Sequence, residues 1–588
     1  MKPKFFPTTK KDMLDRGWAE CDIILITGDP YIDHHSYGTA VIARVLEQKR
    51  YKIGIIAQPD YNSIQDFIKL GKPRLFFGIS SGAVDSMIAN YSANKRPRHL
   101  PGGKTPSLPD RAVLIYSNRV REAFKGTSIV LGGLEASMRR LAHYDYWSDT
   151  VRRSIIMDAK ADILVYGMAE RQIVEIADRA NAGESINAIG NINGTVIIKN
   201  NLDSLTDFIE IPSFEETANS AEKFNKAYKQ FYNELSPSNS KTIVQKHGER
   251  YVIQFPPAQP LSEDEIDGVY SLPFARDCHP SYKDTEEAKG FKVIETSIVS
   301  HRGCPGECNF CGIGLHQGRI IQSRSAKSIL NEAKLISSQS YFHGTISDIG
   351  GPTANLYKAS CKLWEKGLVC KDKNCLIPKK CENLKLGYDE SIVLYNNVNK
   401  LDKIKHVFVS SGIRYDLLVD SYADKYFEEL CRNHISGRMK VAPEHVSSNV
   451  LRLMNKPDFS VYRRFADKFD KLCAKLRKKL FLVNYFISAH PGSTLEDAFS
   501  MAKYCHSVKI QPEQIQDYTP LPMTVSGCMY FTGKNPFTNE DIFTAKGERE
   551  RKMQRALVQY KNPKNTKLVN EALKLLGKIS FRKVLFNR

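Results

Sequence analysis

Short uninterrupted apolar runs alternate, early in the chain, with longer stretches in which apolar residues recur every three or four positions. A run bounded by turn residues reads as a strand buried on both faces, and the wider spacing reads as a helix with one buried stripe. Segments 22–27, 52–57, 75–79, 112–116, 128–131 and 162–166 are of the first kind. Segment 39–48 is of the second, with Val41, Ile42, Val45 and Leu46 on one side. Such alternation predicts a doubly wound α/β domain on a parallel sheet over residues 1–199.

The pattern fades at 200–241, where Asn, Ser, Glu and Lys dominate and only 221–235 carries a helical stripe. Residues 200–289 are therefore expected as an insertion and linker, with 250–255 leading into a second domain. Alternation then resumes. Strands are expected at 292–300, 345–349, 406–410, 438–441, 480–487 and 514–518, and helices at 325–338, 420–434, 462–477 and 495–508. The stripe Ile329, Leu330, Ala333, Ile336 supports the first helix, and a capping box from Thr494 to Asp497 supports the last. These units predict a partial, TIM-like (βα)6 barrel over 290–545, with reactive groups at the C-terminal ends of its strands. The basic, helix-forming stretch 546–588 is expected to pack against that barrel or cap it.

Composition narrows the classes. A chain of 588 residues exceeds one ordinary core, and 42% apolar with 26% charged residues is a globular mixture. No apolar window approaches the roughly 18 residues of a membrane span, so no membrane association is expected. Nor does an apolar h-region follow the basic start, as an export signal requires. Thirteen cysteines, several at ligand-like spacing, then point to metal binding in a reducing cytoplasm rather than to disulfides. The net charge of +20 mildly favours a polyanionic partner such as RNA. The basic residues are spread along the chain, however, and no RNA-binding module is visible, so a basic surface is the simpler reading.

The densest chemistry lies just after the run 293–299, in Arg302-Gly303-Cys304-Pro305-Gly306-Glu307-Cys308-Asn309-Phe310-Cys311-Gly312. Three thiolates on one tight loop can hold three irons of a 4Fe-4S cube and leave the fourth without a protein ligand, where a substrate or cofactor binds. A zinc knot would instead use four ligands in two short pairs.

The C-x3-C-x2-C spacing with Phe310 before the last cysteine resembles the signature of radical S-adenosylmethionine (SAM) enzymes. Further stretches narrow the resemblance: Gly28-Asp29-Pro30-Tyr31 with Asp33-His34, the segments 54–60, 143–149 and 348–355, and Met529-Tyr530-Phe531-Thr532-Gly533-Lys534-Asn535-Pro536. Together they make the chain similar, over nearly its whole length, to the YgiQ-type (UPF0313) radical SAM proteins. The resemblance implies a radical SAM barrel preceded by a doubly wound, cobalamin-binding-like domain. It also implies a 4Fe-4S cluster on Cys304, Cys308 and Cys311 whose open iron chelates SAM, and reductive cleavage of SAM to a deoxyadenosyl radical. An electron donor such as flavodoxin or ferredoxin is implied as partner.

By the same resemblance, Asp348, Gly350 and Gly351 meet the methionine amino group, with Pro352 where the family more often has an acidic residue. Ser411 and Arg414 serve the SAM carboxylate, Glu444 the ribose, Phe310 the adenine, and His490 belongs to a polar turn on the same face. No catalytic acid or base is singled out.

Three further features stand beside this. Cys361, Cys370, Cys375 and Cys381 are close enough in sequence to bind a second metal, either zinc or an iron–sulfur cluster. Asp33, His35 and Gly38 formally fit D-x-H-x-x-G, the loop by which some proteins offer a histidine to cobalamin. A loop histidine is the favoured reading there, and cobalamin is not expected. Residues 132–149, dense in polar and aromatic groups, are expected as a loop at a substrate pocket or an interdomain seam. The substrate stays open, with RNA or protein modification as candidate outcomes. A metal-stabilised binding protein without turnover, holding zinc or a structural cluster, is the alternative class.

Overall fold

The apolar runs near the start of the chain form the centre of one sheet in the computed structural model, which describes residues 4–98, 108–203, 205–282, 285–512 and 515–586. The chain divides into two units: Met1–Thr296 with Leu315–Ser328 and Leu363–Lys371, and Ser297–Gly314 with Ile329–Lys362 and Asp372–Arg588.

The first unit is built on a nine-stranded sheet. Its strands are β1 (Ile23–Thr27), β2 (Ile53–Ala57), β3 (Phe76–Ser80), β4 (Ile129–Leu131), β5 (Ile163–Val165), β6 (Thr195–Lys199), β7 (Phe208–Ile211), β8 (Thr242–His247) and β9 (Arg250–Gln254). They lie in the order β7-β8-β9-β6-β5-β4-β3-β1-β2. The half from β5 to β2 is wholly parallel, with Ile23 beside both Ile53 and Phe76. It is the doubly wound pattern expected from sequence, with its switch point between β1 and β3. All five residues of β1 are buried, which is why the strand reads as an unbroken apolar run.

Two expectations fail in this unit. Segment 112–116 is the start of a helix, Ala112–Ala123, whose buried residues Ala112, Val113, Tyr116, Ser117 and Val120 follow a helical stripe. A five-residue apolar run does not distinguish a buried strand from the first turns of a helix. The polar stretch read as insertion and linker supplies β7, β8 and β9 to the main sheet, β9 pairing antiparallel with β6. Its helix Ala221–Asn233 is where the stripe placed it. The surrounding Asn, Ser and Lys residues lie on connections, and they masked short strands whose inward faces are apolar, such as Ile243, Val244, Val252 and Ile253.

The second unit winds six strand segments in sequence order: β10 (Ser297–Val299), β11 in two pieces (Thr345–Ile346 and Asp348–Gly350), β12 (His406–Val407), β13 (Arg438–Glu444), β14 (Phe481–Ser488) and β15 (Ile515–Asp517). Each neighbouring pair is parallel, the contact from β12 to β13 being the bridge Ile413 to Val441. This is the expected partial barrel. The first strand is shorter than the expected 292–300: after helix Glu286–Phe291 the chain turns through 292–296, and only Ser297–Val299 is extended. Gln514, the expected start of the last strand, lies outside the described residues. Helices Ala326–Ser337, Phe459–Leu476 and Leu495–Ser507 match expectation, and the Thr494–Asp497 capping box is formed. A helix at Tyr388–Asn399 was not anticipated.

The basic tail is part of this unit's core. Its helices Glu548–Val558 and Thr566–Leu575 bury Met553, Leu557, Val569 and Leu573 against Ala498, Phe499 and Ala502 of helix Leu495–Ser507.

Candidate active site

The cysteine loop leaves the end of β10 and is fastened on two sides. Asn309 donates from its backbone to Met454 O and from its side chain to Leu453 O, both at 2.9 Å. Asn455 Nδ2 donates to Glu307 O at 2.9 Å, so the end of helix Ser448–Leu453 clamps the loop twice. On the other side Ser526 N, in the first turn of helix Val525–Thr532, donates to Asn309 O at 2.8 Å. A helix start has unpaired N–H groups, and here one is spent on holding the loop.

All three cysteines of the loop are half-buried. Ile313 N–H donates to Cys311 Sγ at 3.5 Å, Arg414 Nη1 faces Cys308 Sγ at 4.0 Å, and Cys304 Sγ lies 3.7 Å from Thr353 Oγ1. Burial pushes the Cys308 thiol up, against the pull of Lys456 and Arg414, and pushes Cys311 up to about 12, with Cys308 and Cys304 adding to it. Thiols that raise one another's pKa are neighbours, and a bound cation supplies the charge that makes such thiolates stable. The residues present therefore fit a cluster with a three-cysteine anchor. Among the described residues no three His, Cys, Asp or Glu side chains are drawn to the spacing of a single metal ion. A cube, which takes one sulfur per iron, does not require that spacing.

The ends of β10 and β11 lock together beside this loop. Ser300 N and Oγ donate to Gly350 O at 2.7 and 2.9 Å. Asp348 Oδ1 accepts from the backbone N–H of Ser410 at 2.7 Å and of Ser411 at 3.1 Å, while Oδ2 accepts from Ser411 Oγ. Three of the carboxylate's roughly four lone-pair positions are thus engaged, and Ser411 serves to fix Asp348. The two glycines are required by close approach: a Cβ on Gly350 would meet Asp348 Oδ2 at 2.7 Å, and one on Gly351 would meet the His301 ring at 2.6 Å. His301 is fully buried, and burial lowers its pKa to about 4, so it is neutral.

Arg414 is more committed than the resemblance implies. Its Nε and Nη2 are held by Asp416 at 3.1 and 2.8 Å, so the fork is unavailable for a two-pronged grip on a ligand carboxylate. Burial opposes its charge, but Asp416 and the Cys308 thiol outweigh burial and raise its pKa. Asn355 grips the Arg414 backbone from both sides, accepting from its N–H at 2.9 Å and donating to its carbonyl at 3.0 Å.

Glu444 ends β13 with φ +65, after the register against β14 shifts between Val441 and Glu444. A left-handed glutamate is uncommon and is held only where its surroundings demand it. Here Lys456 Nζ lies 3.6 Å from its carboxylate, both side chains being nearly buried. Burial raises the Glu444 pKa, with Lys456 and then Arg414 opposing. Asn355, Asp416 and Lys456 were missed in the sequence. Asp416 could have been suspected from its place two residues after Arg414, whereas Lys456 follows a separate helix and carries no local signal.

Phe310 and His490 meet edge to face, 6.2 Å between centroids. Both His490 nitrogens are used by the protein, Nδ1–H donating to Pro491 O at 2.8 Å and Nε2 accepting from Ser526 Oγ at 2.7 Å. Burial lowers its pKa to about 3. Its place is beneath the cluster loop, supporting Phe310.

The cysteines of the second group, Cys361, Cys370, Cys375 and Cys381, are all half-buried. Cys381 N–H donates to Cys375 O at 2.8 Å, and Ser360 and Lys385 exchange both backbone bonds at 3.0 Å.

In the first unit, His35 is only 4% exposed, with its ring against Tyr270 and Phe274 and its Nε2 3.4 Å from Arg276 Nη2. A guanidinium facing that nitrogen does not fit a metal-ligating histidine. At the switch point Asp29 accepts from Ala83 N–H at 2.9 and 3.0 Å, and burial raises its pKa to about 6. Residues 132–149 are also turned inward. They form helix Gly133–Ser137 and a hairpin of His143–Asp145 with Thr150–Arg152, and Glu135, Arg139, Arg140, His143 and Asp145 are buried. The polar density that reads as a loop is an internal network, with Glu135 accepting from Ser86 N and Val113 N and Arg139 paired with Asp85.

Family models for the radical SAM N-terminal region match residues 5–297, the radical SAM superfamily 298–505, and a domain of unknown function, DUF3362, 513–581. A UPF0313 protein of Clostridium botulinum is 48% identical over 97% of this chain and 89% of its own length. A UPF0313 protein of Methanocella arvoryzae is 47% identical over 96% and 94%. Among solved structures, the radical SAM methyltransferase TsrM from Kitasatospora setae, determined with cobalamin and a 4Fe-4S cluster, overlaps at a TM-score of 0.49 and 13% identity, covering 86% of this chain and 74% of that one. No helix among the described residues is long and apolar enough to cross a membrane.

Proposed function

The chain belongs to the UPF0313 family and carries a radical SAM domain, and from that premise we propose that it is a radical SAM enzyme whose second unit anchors a 4Fe-4S cluster on Cys304, Cys308 and Cys311. The observation that carries the reading is the clamped loop: three cysteines within one short turn, fixed by Asn309, Asn455 and Ser526, with no fourth cysteine on the loop. When bound, a cluster with one open iron supplies the single electron that cleaves SAM to methionine and a deoxyadenosyl radical.

The chain's own residues orient and shield. Gly350 and Gly351 present bare backbone for the methionine end, with Asp348 fixed beside them as the nearby anion. Glu444, held at its unusual φ and paired with Lys456, would accept from the ribose hydroxyls, and Phe310 on its His490 support would offer its ring to the adenine. Burial of His301, His445 and His490 keeps neutral, non-titrating groups around the site near neutral pH. We assign His35 no role as a cobalt ligand, on the strength of its Arg276 neighbour. The electron donor is a low-potential carrier of the flavodoxin or ferredoxin class, and the site of action is the cytoplasm. The substrate stays unassigned, RNA and protein being the classes that the basic charge keeps open.

The test is spectroscopic. Anaerobically reconstituted protein should contain about four irons per chain, and SAM should change the electron paramagnetic resonance spectrum of the reduced cluster. A spectrum indifferent to SAM would mean a cube capped on every corner, and zinc without iron would favour the binding-protein class.

A further inference from the structure

Resting on that cluster reading, we propose that Arg414 and Asp416 act as an oriented charge pair that sets the cluster's reduction potential, with Arg414 as a positioning residue on the cysteine loop. The pair is held at 2.8 Å, and both side chains are nearly buried, 7% and 10% exposed. Two of the three guanidinium nitrogens are spent on Asp416, and the third, Nη1, is the one that faces Cys308 Sγ at 4.0 Å. That arm lies against bare backbone. A Cβ on Gly306 would meet Arg414 Nη1 at 2.6 Å and Cys304 Sγ at 3.2 Å, so the guanidinium reaches the cysteine loop at a place only glycine leaves open. The two hydrogen bonds from Asn355 fix the arginine's backbone, which leaves the direction of the pair little freedom.

The consequence is electrostatic. Reduction by a one-electron donor adds one negative charge to the cluster, while the donor is oxidised by one electron. Hydrogen bonds to cluster sulfurs and local net charge are the protein's levers on that step, and charges act strongly where water is excluded. The positive end of the pair points at the loop and the negative end is tied behind it. Arg414 therefore favours the reduced state and raises the potential, and Asp416 moderates the rise.

The experiment is a dye-mediated redox titration of the reconstituted full-length chain, monitored by electron paramagnetic resonance, for wild type, Arg414→Met, Arg414→Lys and Asp416→Asn. R414M is expected to lower the midpoint potential and D416N to raise it, each by at least a tenfold change in the one-electron equilibrium, or about 59 mV. R414K should fall between wild type and R414M. The opposed signs guard against loosening of the fold, which would move both variants alike. Shifts of the same sign in R414M and D416N, or wild-type potentials in both at full iron content, would overturn the proposal and leave the cluster intact. Should R414M not fold, D416N and R414K decide: a fall or no change in D416N overturns it. A wild-type chain without iron would instead sink the cluster reading itself.

Discussion

Asn355 and Arg414 hold each other through a reciprocal pair of hydrogen bonds: Asn355 Oδ1 accepts from Arg414 N at 2.9 Å, and Asn355 Nδ2 donates to Arg414 O at 3.0 Å. The asparagine follows β11 and the arginine follows β12, so one buried amide ties two adjacent strand ends beside the cysteine loop. Asn355→Ala leaves a buried N–H and a buried C=O without partners, and should cost about 2–4 kcal/mol. Chemical denaturation of the apoprotein measures it.

Serine in place of Cys304, Cys308 or Cys311 should each abolish the visible iron–sulfur absorption and bring bound iron close to zero. Replacing the buried Cys505 or Cys431 should leave both unchanged. Serine at Cys361, Cys375 and Cys381 should leave the SAM-sensitive cluster signal in place, because those residues lie outside the clamped loop. Anaerobic iron and sulfide assays read the first two cases, and electron paramagnetic resonance with and without SAM reads the third.

Acid should destabilise the second unit through its buried histidines. Burial lowers His301 and His445 to about 4 and His490 to about 3. Because the folded values lie below the unfolded value of about 6.5, the unfolded chain binds more protons as pH falls through that window. Stability contributed by the neutral rings is fully present above about pH 6.5 and is lost progressively toward pH 4 for His301 and His445 and toward pH 3 for His490, at up to about 1.4 kcal/mol per pH unit for each histidine. Urea midpoints of the apoprotein, measured from neutral to mildly acidic pH, should fall accordingly. A His490→Gln variant should show a shallower fall.

The tail should prove inseparable from the barrel. Gln554 is fully buried, its Oε1 accepting from Ala489 N at 3.1 Å and Ser493 Oγ at 2.9 Å while Nε2 donates to Ser493 O at 2.7 Å. Gln554→Ala should cost about 2–4 kcal/mol. Truncation before Glu548 would expose Phe499 and its neighbours and should yield insoluble protein, as expression and circular dichroism would show.

What the sequence revealed and what it hid have the same physical origin. Strands β1 to β5 were readable because burial on both faces makes them continuous apolar runs. Strands β7 to β9 were hidden because polar connections surround them, and the Ala112–Ala123 helix was misread because its opening residues are all apolar. At the site, the cysteine loop and the Gly350-Gly351 turn were visible because their chemistry is local. Lys456 carried no local signal, and the roles of Asn355 and Asp416 went unread, because each matters only through the partner it holds in the fold. Arg414 was noticed, but the commitment of its fork to Asp416 could be seen only in three dimensions.

The most direct test of the account is release of deoxyadenosine from SAM by the anaerobically reconstituted chain with dithionite as electron source. The account predicts formation in the wild type, none in Cys304→Ser and none without reductant. Iron-replete wild-type protein that leaves SAM intact under those conditions would contradict it.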